Sequence, residues 1–217
     1  MIIISLRYQR IGAKYLSTAP IDLHEVIVIL GELGYRPIRN LPPLGFRRGI
    51  GGSGPIARKD NVIVDVDTAR HVLGVTSPDL KQLISEFKAV EEALGTRLKG
   101  YTRPQFYEGM VEYEISVEGA NFYSAFERVG NLSIVGVASR ALGVKASLLG
   151  VRIGLKKAQP EDEEWLDIEI IPSLSKGSDV LYFSMLYRSS DKEKAFNIMG
   201  KARSLALNVT KHLLQAT

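Results

Sequence analysis

The chain has no cysteine among its 217 residues, and it contains only three histidines and one tryptophan. The lack of cysteine excludes a disulfide scaffold, a thiolate zinc site and a cysteine nucleophile. No uncharged apolar run in the sequence reaches the roughly 18 residues that a membrane-spanning helix needs. The opening apolar run, Met1–Ile4, is too short for the core of a signal peptide. These absences predict a cytoplasmic protein that does not engage a membrane.

Motifs for catalysis and for cofactor binding are also scarce. His24, His71 and His212 fall in separate predicted elements and lack the spacing of metal ligands. The stretch Gly49–Gly54 formally fits G-x-G-x-x-G, but Pro55 and a predicted strand follow it. A dinucleotide site needs a helix at that point, so we interpret the stretch as a loop tip. The sequence therefore favours a non-catalytic protein, without cofactor or metal, over an enzyme.

Two long amphipathic helices are the clearest elements of the sequence. Over Pro78–Leu94 the apolar residues recur at helical spacing, with Ser77 as the expected N-cap and Gly95 as the expected end. The same spacing recurs from Asp191 to the C-terminus, with Ser190 as the expected cap. Because each helix has one apolar stripe, both are expected to pack on a sheet.

Period-two alternation predicts strands around these helices. The predicted strands cover residues 2–8, 62–67, 70–76, 111–117, 166–170 and 180–188. This order predicts an α+β fold, in which long amphipathic helices pack on one face of an antiparallel sheet. It also suggests two pseudo-symmetric β-α-x-β-β-α halves, at 1–97 and 106–217, joined by a connector at 98–105. The alternative is one continuous α+β domain whose order of elements recurs by coincidence.

Basic residues are concentrated in two glycine-rich stretches. The first basic segment, residues 33–59, and the second basic segment, residues 128–160, each contain six basic residues and no acidic residue. The rest of the chain carries 16 basic and 24 acidic residues, so the positive excess comes from these segments alone. They also hold eleven of the 20 glycines. Such segregated charge creates a local field that attracts phosphates or acidic surfaces.

We therefore predict a binding protein whose two basic segments contact nucleic acid or another polyanion. The predicted contact residues are Arg47, Arg48, Arg58, Lys59, Arg140, Lys145, Arg152, Lys156 and Lys157. The hypothesis requires that both segments meet in one cationic patch. Within Ser147–Lys157, alternation predicts a strand with a basic outer side and with Leu149, Val151, Ile153 and Leu155 buried on the other. The plainer alternative is that these basic residues only solvate loops and pair with acidic helices.

Two further functions remain open from the sequence. The first is a homo-oligomeric assembly module without a role in nucleic-acid binding, which would associate through strand edges or helix faces and expose an apolar sheet face. The residues that fit such a face are Leu181, Phe183, Met185 and Tyr187. The second is a metal-dependent enzyme that uses carboxylates projecting from strands. The candidate carboxylates are Asp65, Asp67, Asp167 and Glu169.

Overall fold

The computed structural model describes residues 1–16, 22–38, 53–98, 104–129, 133–173 and 175–215. Within these residues lie nine strands and five helices. The strands are β1 (Ile2–Tyr15), β2 (Arg36–Pro37), β3 (Ser53–Lys59), β4 (Val62–Asp67), β5 (Val72–Thr76), β6 (Pro104–Val117), β7 (Val151–Gly154), β8 (Trp165–Pro172) and β9 (Val180–Ser189). The helices are α1 (Leu23–Glu32), α2 (Leu80–Arg97), α3 (Phe122–Val129), α4 (Ser133–Leu142) and α5 (Lys192–Gln215).

All nine strands form one antiparallel sheet in the order β2-β3-β4-β5-β1-β6-β9-β8-β7. The long strands β1 and β6 pair at its centre. On one side follow β5, β4, β3 and β2, and on the other side follow β9, β8 and β7. The α+β prediction with an antiparallel sheet is confirmed. Most of the predicted connector, residues 99–103, lies outside the described residues.

The alternation of the strands gives the sheet two different faces. On β9 the alternate residues from Leu181 to Ser189 are buried, whereas the residues between them are half-buried. On β1 a register shift between Leu6 and Tyr8 reverses the parity, so that Ile11 and Ala13 become the buried residues. We call the buried face the inner face and the opposite one the outer face.

Helices cover the inner face. Helix α2 packs on β1 and β5, helix α5 packs on β6 and β9, and α3 packs on α5. At the centre, Phe87 of α2 is fully buried and meets the rings of Tyr107 and Phe196 edge-on, with centroids 6.2 and 6.0 Å away. Edge-to-face pairs of this kind add to the free energy that burial contributes. The predicted packing of long helices on one face of the sheet is therefore confirmed.

The boundaries of the long helices differ from the predicted ones. Asp79, not Ser77, caps α2, because its carboxylate accepts the backbone N–H of Gln82. Asp191 similarly accepts the N–H of Lys194, so that α5 begins two residues after Ser190. Helix α2 also continues through the predicted stop at Gly95 and ends at Arg97. Aspartate and serine are equally good caps, so the sequence alone did not choose between neighbours.

The apolar residues of β9 lie on the inner face, contrary to the assembly hypothesis. Leu181, Phe183, Met185 and Tyr187 are all buried. The prediction that they form an exposed apolar face is therefore wrong, because α5 packs over this side of the sheet. In the part of the chain that the structure describes, no helix is both long and apolar enough to cross a membrane.

A basic groove on the outer face of the sheet

The side chain of Arg10 crosses two neighbouring strands on the outer face. Gly12 of β1 and Gly74 of β5 are direct register partners, so together they leave a floor without side chains. The guanidinium of Arg10 occupies this floor, and a Cβ atom added at Gly12 would lie 2.8 Å from its Nη1. Beyond Gly74, Arg10 donates to both carboxylate oxygens of Asp65 on β4, at 2.9 and 2.6 Å. Burial, the largest single effect, lowers the pKa of Arg10, but the hydrogen bonds to Asp65 and the negative charges around the guanidinium, that of Asp65 first, together raise this pKa.

A second arginine, Arg188, is fixed two strands away from Gly12 in the same row of register partners across the sheet. Glu108 of β6 is the register partner of Gly12 and of Arg188 on β9. Arg188 donates to Glu108 through Nη2 at 2.8 Å, and its guanidinium lies 4.1 Å from the centroid of the Phe106 ring. Its Nη1 donates to the carbonyl oxygen of Pro160 at 2.7 Å. Because three partners hold its planar head, Arg188 has a defined position before any ligand arrives.

The turn between β4 and β5 closes one end of this row. His71 has a φ of 53°, in the left-handed region, and its carbonyl accepts the N–H of Tyr15 at 2.9 Å. Oδ1 of Asp67 accepts the N–H groups of Ala69 and Arg70, which fixes the turn. The Arg70 side chain is 82% exposed and is only loosely paired, with 3.9 Å between its Nε and Asp67. The turn thus presents two basic side chains at the end of the sheet.

Between these elements lies a groove of about 580 Å³. Its basic lining residues are Arg10, Lys14, Arg70, His71 and Arg188, and its one carboxylate is Glu108. Lys14 lies 5.7 Å from the Phe106 centroid, and within the described residues it forms no ion pair. With Asp65 counted as the partner of Arg10, the fixed charges still leave an excess of positive charge. We refer to this site as the basic groove.

The rest of the outer face is acidic in character. Besides the groove's partners Asp65 and Glu108, it carries Asp67, Glu112, Glu114, Asp167 and Glu169. Glu114 accepts hydrogen bonds from Arg7 and Lys176. Burial alone would raise the pKa of Glu114, but these two cations outweigh it and lower this pKa. The basic groove is therefore a local positive region on a face that is otherwise rich in carboxylates.

The structure describes only part of the first basic segment. Arg47 and Arg48 lie outside the described residues, as does most of the stretch that fits G-x-G-x-x-G. Arg58 lies on β3 and donates to the carbonyl of Asp60 at 2.7 Å. Lys59 points to the helix side, where it donates to Glu86 of α2 at 2.9 Å and lies over the ring of Tyr35. Lys59 is thus engaged within the fold.

The second basic segment is described in full except for residues 130–132. Arg152 forms a bidentate pair with Asp167 on the neighbouring strand. Four of the predicted contact residues are exposed and have no ion pair among the described residues: Arg140, Lys145, Lys156 and Lys157. The predicted strand is shorter than expected, since β7 covers only Val151–Gly154. Leu149 and Ile153 are exposed, so the prediction that they are buried is wrong.

The described parts of the two basic segments do not meet. Seven strand steps separate β3 from β7, which corresponds to about 34 Å across a flat sheet. The prediction of one joint cationic patch is therefore wrong for the described parts of the two segments. The strand order is the reason, because β3 and β7 lie on opposite sides of the central β1–β6 pair.

The carboxylates of the enzyme hypothesis are also separated. Five strand steps lie between β4, which carries Asp65 and Asp67, and β8, which carries Asp167 and Glu169. That distance is about 24 Å, too far for a shared metal ion. Asp65 and Asp167 are moreover engaged by arginines. Among the described residues, no three histidine, aspartate or glutamate side chains are grouped so that they could hold a metal.

Sequence reasoning missed the basic groove because its basic residues come from three distant stretches. Arg10 and Lys14 lie on β1, Arg70 and His71 on the turn, and Arg188 on β9. None of these stretches is unusually basic by itself. The usable signal was the facing pair of glycines in β1 and β5, since glycine within a strand often marks a place where another group comes close.

No family model and no curated protein matches this chain. Among solved structures it is similar to "Methanococcus jannaschii TBP", with 12% identity, a TM-score of 0.36, and coverage of 97% of this chain and 99% of that one. It is also similar to the "Rolling Circle Replication Initiator Protein from Geobacillus stearothermophilus", with 10% identity, a TM-score of 0.29, and coverage of 92% of this chain and 79% of that one. With TM-scores this low, neither resemblance bears on what this chain binds.

Proposed function

We propose that the chain is a non-catalytic binding protein for a polyanion, with nucleic acid as the first candidate, and that the basic groove is its contact site. The observation that carries this proposal is the convergence of five basic side chains from separate elements on one groove. A cluster of this kind, on a face that is elsewhere rich in carboxylates, concentrates a positive field where an anion can enter.

The groove is also prepared for binding. Asp65 holds Arg10, and Glu108 with Phe106 holds Arg188, so these two guanidinium groups lose little side-chain freedom when a phosphate arrives. Lys14, which has no ion pair among the described residues, and Arg70, whose Nε lies 3.9 Å from Asp67, supply further positive charge. Two guanidinium groups that are held in position, together with Lys14 and Arg70, can bind phosphate oxygens, which accept several charged hydrogen bonds at once.

Two of the residues predicted from the sequence extend this surface. Lys156 and Lys157 lie in the turn after β7, and the same loop reaches the groove at Pro160, whose carbonyl accepts from Arg188. A polyanion that leaves the groove in this direction meets these two lysines and, beyond Pro160, the exposed acids Glu161, Asp162 and Glu163. Arg140 and Lys145 precede the edge strand β7 and remain predicted contacts. Arg58, on β3 near the opposite edge of the sheet, also remains one.

Fluorescence anisotropy with a labelled single-stranded oligonucleotide tests the proposal. Affinity is expected to fall steeply between roughly 50 and 200 mM salt, because each neutralised phosphate releases counterions. The double variant Lys14→Ala/Arg70→Ala is expected to bind about tenfold more weakly and with a shallower salt slope. Lys156→Ala/Lys157→Ala is expected to have a smaller effect in the same direction.

The matched control removes the same charge from the other side of the molecule. Lys201 and Lys211 are exposed on α5, and no ion pair of theirs occurs within the described residues. Lys201→Ala/Lys211→Ala is expected to bind as the parent chain does. Equal weakening by both double variants would mean that only net charge matters, and absence of binding at low salt would end the proposal.

A second candidate function is homo-oligomeric assembly, on a different surface from the one first expected. Helix α4 has no buried residue among Val135–Leu142. Five large apolar side chains between residues 137 and 153 are exposed: Val137, Leu142, Val144, Leu149 and Ile153. Such a concentration of exposed apolar residues is typical of interaction surfaces. Sedimentation should then detect a salt-insensitive dimer that Leu142→Lys dissociates, and a strict monomer would exclude this function.

A further inference from the structure

The basic groove is bounded by carboxylates on the sheet itself. Along β6, Glu112 and Glu114 follow Glu108 on the same face, and Glu112 lies about 13 Å away by strand rise. Across β4, Asp65 and Asp67 limit the other side. A nucleic-acid backbone that ran across the outer face would bring successive phosphates against these groups. The groove therefore suits one anionic group at an end better than a continuous strand or duplex.

Resting on the function proposed above, we propose that the basic groove binds a terminal phosphate monoester, at the end of a nucleic-acid strand or on a free nucleotide. The rest of the ligand leaves the groove past Pro160 toward Lys156 and Lys157. This direction leads away from Glu112 and Glu114 of β6, and the loop that it follows carries the exposed acids Glu161, Asp162 and Glu163 as well as the two lysines.

The balance of fixed charge in the groove matches this ligand. Arg10 and Arg188 each share their charge with one carboxylate, Asp65 or Glu108. Lys14 then leaves about one positive charge, and Arg70 adds the part of its charge that Asp67, 3.9 Å away, does not offset. A phosphate monoester carries between about −1.5 and −2 at neutral pH and has three strong acceptor oxygens. An internal phosphodiester carries only one negative charge, so the groove should prefer the monoester.

Among the described residues that line the groove, Phe106 is the one phenylalanine, tyrosine or tryptophan ring on which a base could stack. One face of the Phe106 ring is covered by the Arg188 guanidinium, at 4.1 Å, and Lys14 lies near the same ring. A base would have to displace these cations in order to stack on Phe106. Recognition is therefore expected to depend on the terminal phosphate and to be independent of sequence.

Matched oligonucleotides that differ only at their ends test the inference. One single strand is prepared with a 5′-phosphate, with a 3′-phosphate, and with hydroxyl groups at both ends, and each carries the same internal label. At least one phosphorylated form is expected to bind about tenfold tighter than the hydroxyl form. Lys14→Ala/Arg70→Ala is expected to remove this difference, whereas Lys201→Ala/Lys211→Ala keeps it. The thermal midpoint of each variant shows whether it is folded, and Lys14→Glu provides a second variant in the same groove.

The outcomes separate this inference from the proposed function. Equal binding of phosphorylated and hydroxyl-ended strands would overturn the terminal-phosphate site and leave nucleic-acid binding intact. Failure of every oligonucleotide to bind would overturn the proposed function. Competition by adenosine monophosphate then identifies the source of the phosphate. Full competition assigns the groove to free nucleotides, weak competition assigns it to strand ends, and no binding of either kind overturns the site.

Discussion

The guanidinium of Arg10 lies against the backbone of Gly74, in the space where any other residue would place its Cβ atom. The glycine therefore does more than permit a turn or a left-handed conformation, since it has an ordinary strand geometry. It lets Arg10 reach across β5 to Asp65. The shape of the basic groove depends on this close approach.

Gly74→Ala is expected to push Arg10 away from Asp65 and to destabilise the fold by about 1–3 kcal/mol, because the half-buried carboxylate loses its partner. Urea denaturation measures this loss. Gly95→Ala adds the same methyl group on the exposed side of α2, where nothing lies within 4 Å. It should be stabilising by up to about 1 kcal/mol. A stable Gly74→Ala protein would show that Arg10 has another equally good position.

Gln9 offers a test of a buried polar group. It is 4% exposed on the inner face, and its Nε2 has no hydrogen-bond partner within the described residues. Gln9→Met keeps the shape and removes the unpaired donor, so the free energy of unfolding should rise by about 1 kcal/mol. The control is Gln82→Met, because the Gln82 amide oxygen accepts from Ser77 at 3.0 Å. This change should lower stability, and a loss at both positions would indicate that Gln9 has a partner.

Glu114 should make stability depend on pH. Its pKa is lowered in the folded chain by Lys176 and Arg7, despite its burial. The ionised group therefore stabilises the fold above its unfolded pKa, and this contribution is lost as the pH falls through the folded pKa. Glu114→Gln should be less stable by up to about 1 kcal/mol at pH 7. The difference should vanish in acid below the folded pKa.

Denaturation of both proteins across the acid range measures this difference directly. Glu118 provides the control, since its side chain is 84% exposed and lies 4.0 Å from the N-terminal ammonium. Glu118→Gln should leave the pH profile unchanged. A difference between Glu114→Gln and the parent chain that persists at low pH would point to lost packing instead of lost charge.

Phe87→Ala should lower the free energy of unfolding by about 3–5 kcal/mol, because it leaves a cavity beneath α2 and removes two edge-on aromatic contacts. Val28→Ala on the exposed side of α1 should change the free energy of unfolding by no more than about 0.5 kcal/mol. Thermal or chemical unfolding compares the two. Similar small effects would mean that α2 is not packed on the sheet as described.

The sequence predicted best those elements in which apolar residues recur with a regular spacing. Alternation in β4, β8 and β9 and the apolar stripes of α2 and α5 arise directly from burial of one face. We did not predict helix α4, because we interpreted its segment by its basic charge and not by the spacing of its apolar residues. Its apolar residues Val135, Ala138 and Leu142 do follow helical spacing, but they are not buried, so the pattern does not indicate a core-facing helix.

The candidate site could not be predicted for a different reason. Arg10 and Arg188 are 178 positions apart, and only the pairing of β1 with β6 and of β6 with β9 brings them to one row of the sheet. The sequence around each arginine does not show which strands pair, so it cannot place Arg10 and Arg188 in the same row of the sheet. The predicted basic segments, in contrast, were visible because each is continuous along the chain, although the strand order keeps them apart.

The pairing of β1 with β6 also constrains how this protein could be divided in the laboratory. Each of these strands presents fourteen residues to the seam between the halves. Separate expression of either half would leave one edge of that long strand unpaired, because β1 would keep only β5 and β6 only β9 as a neighbour, and an unpaired edge can recruit another chain. The isolated halves should therefore aggregate when expressed alone and should recover solubility when they are produced together, as complementing fragments.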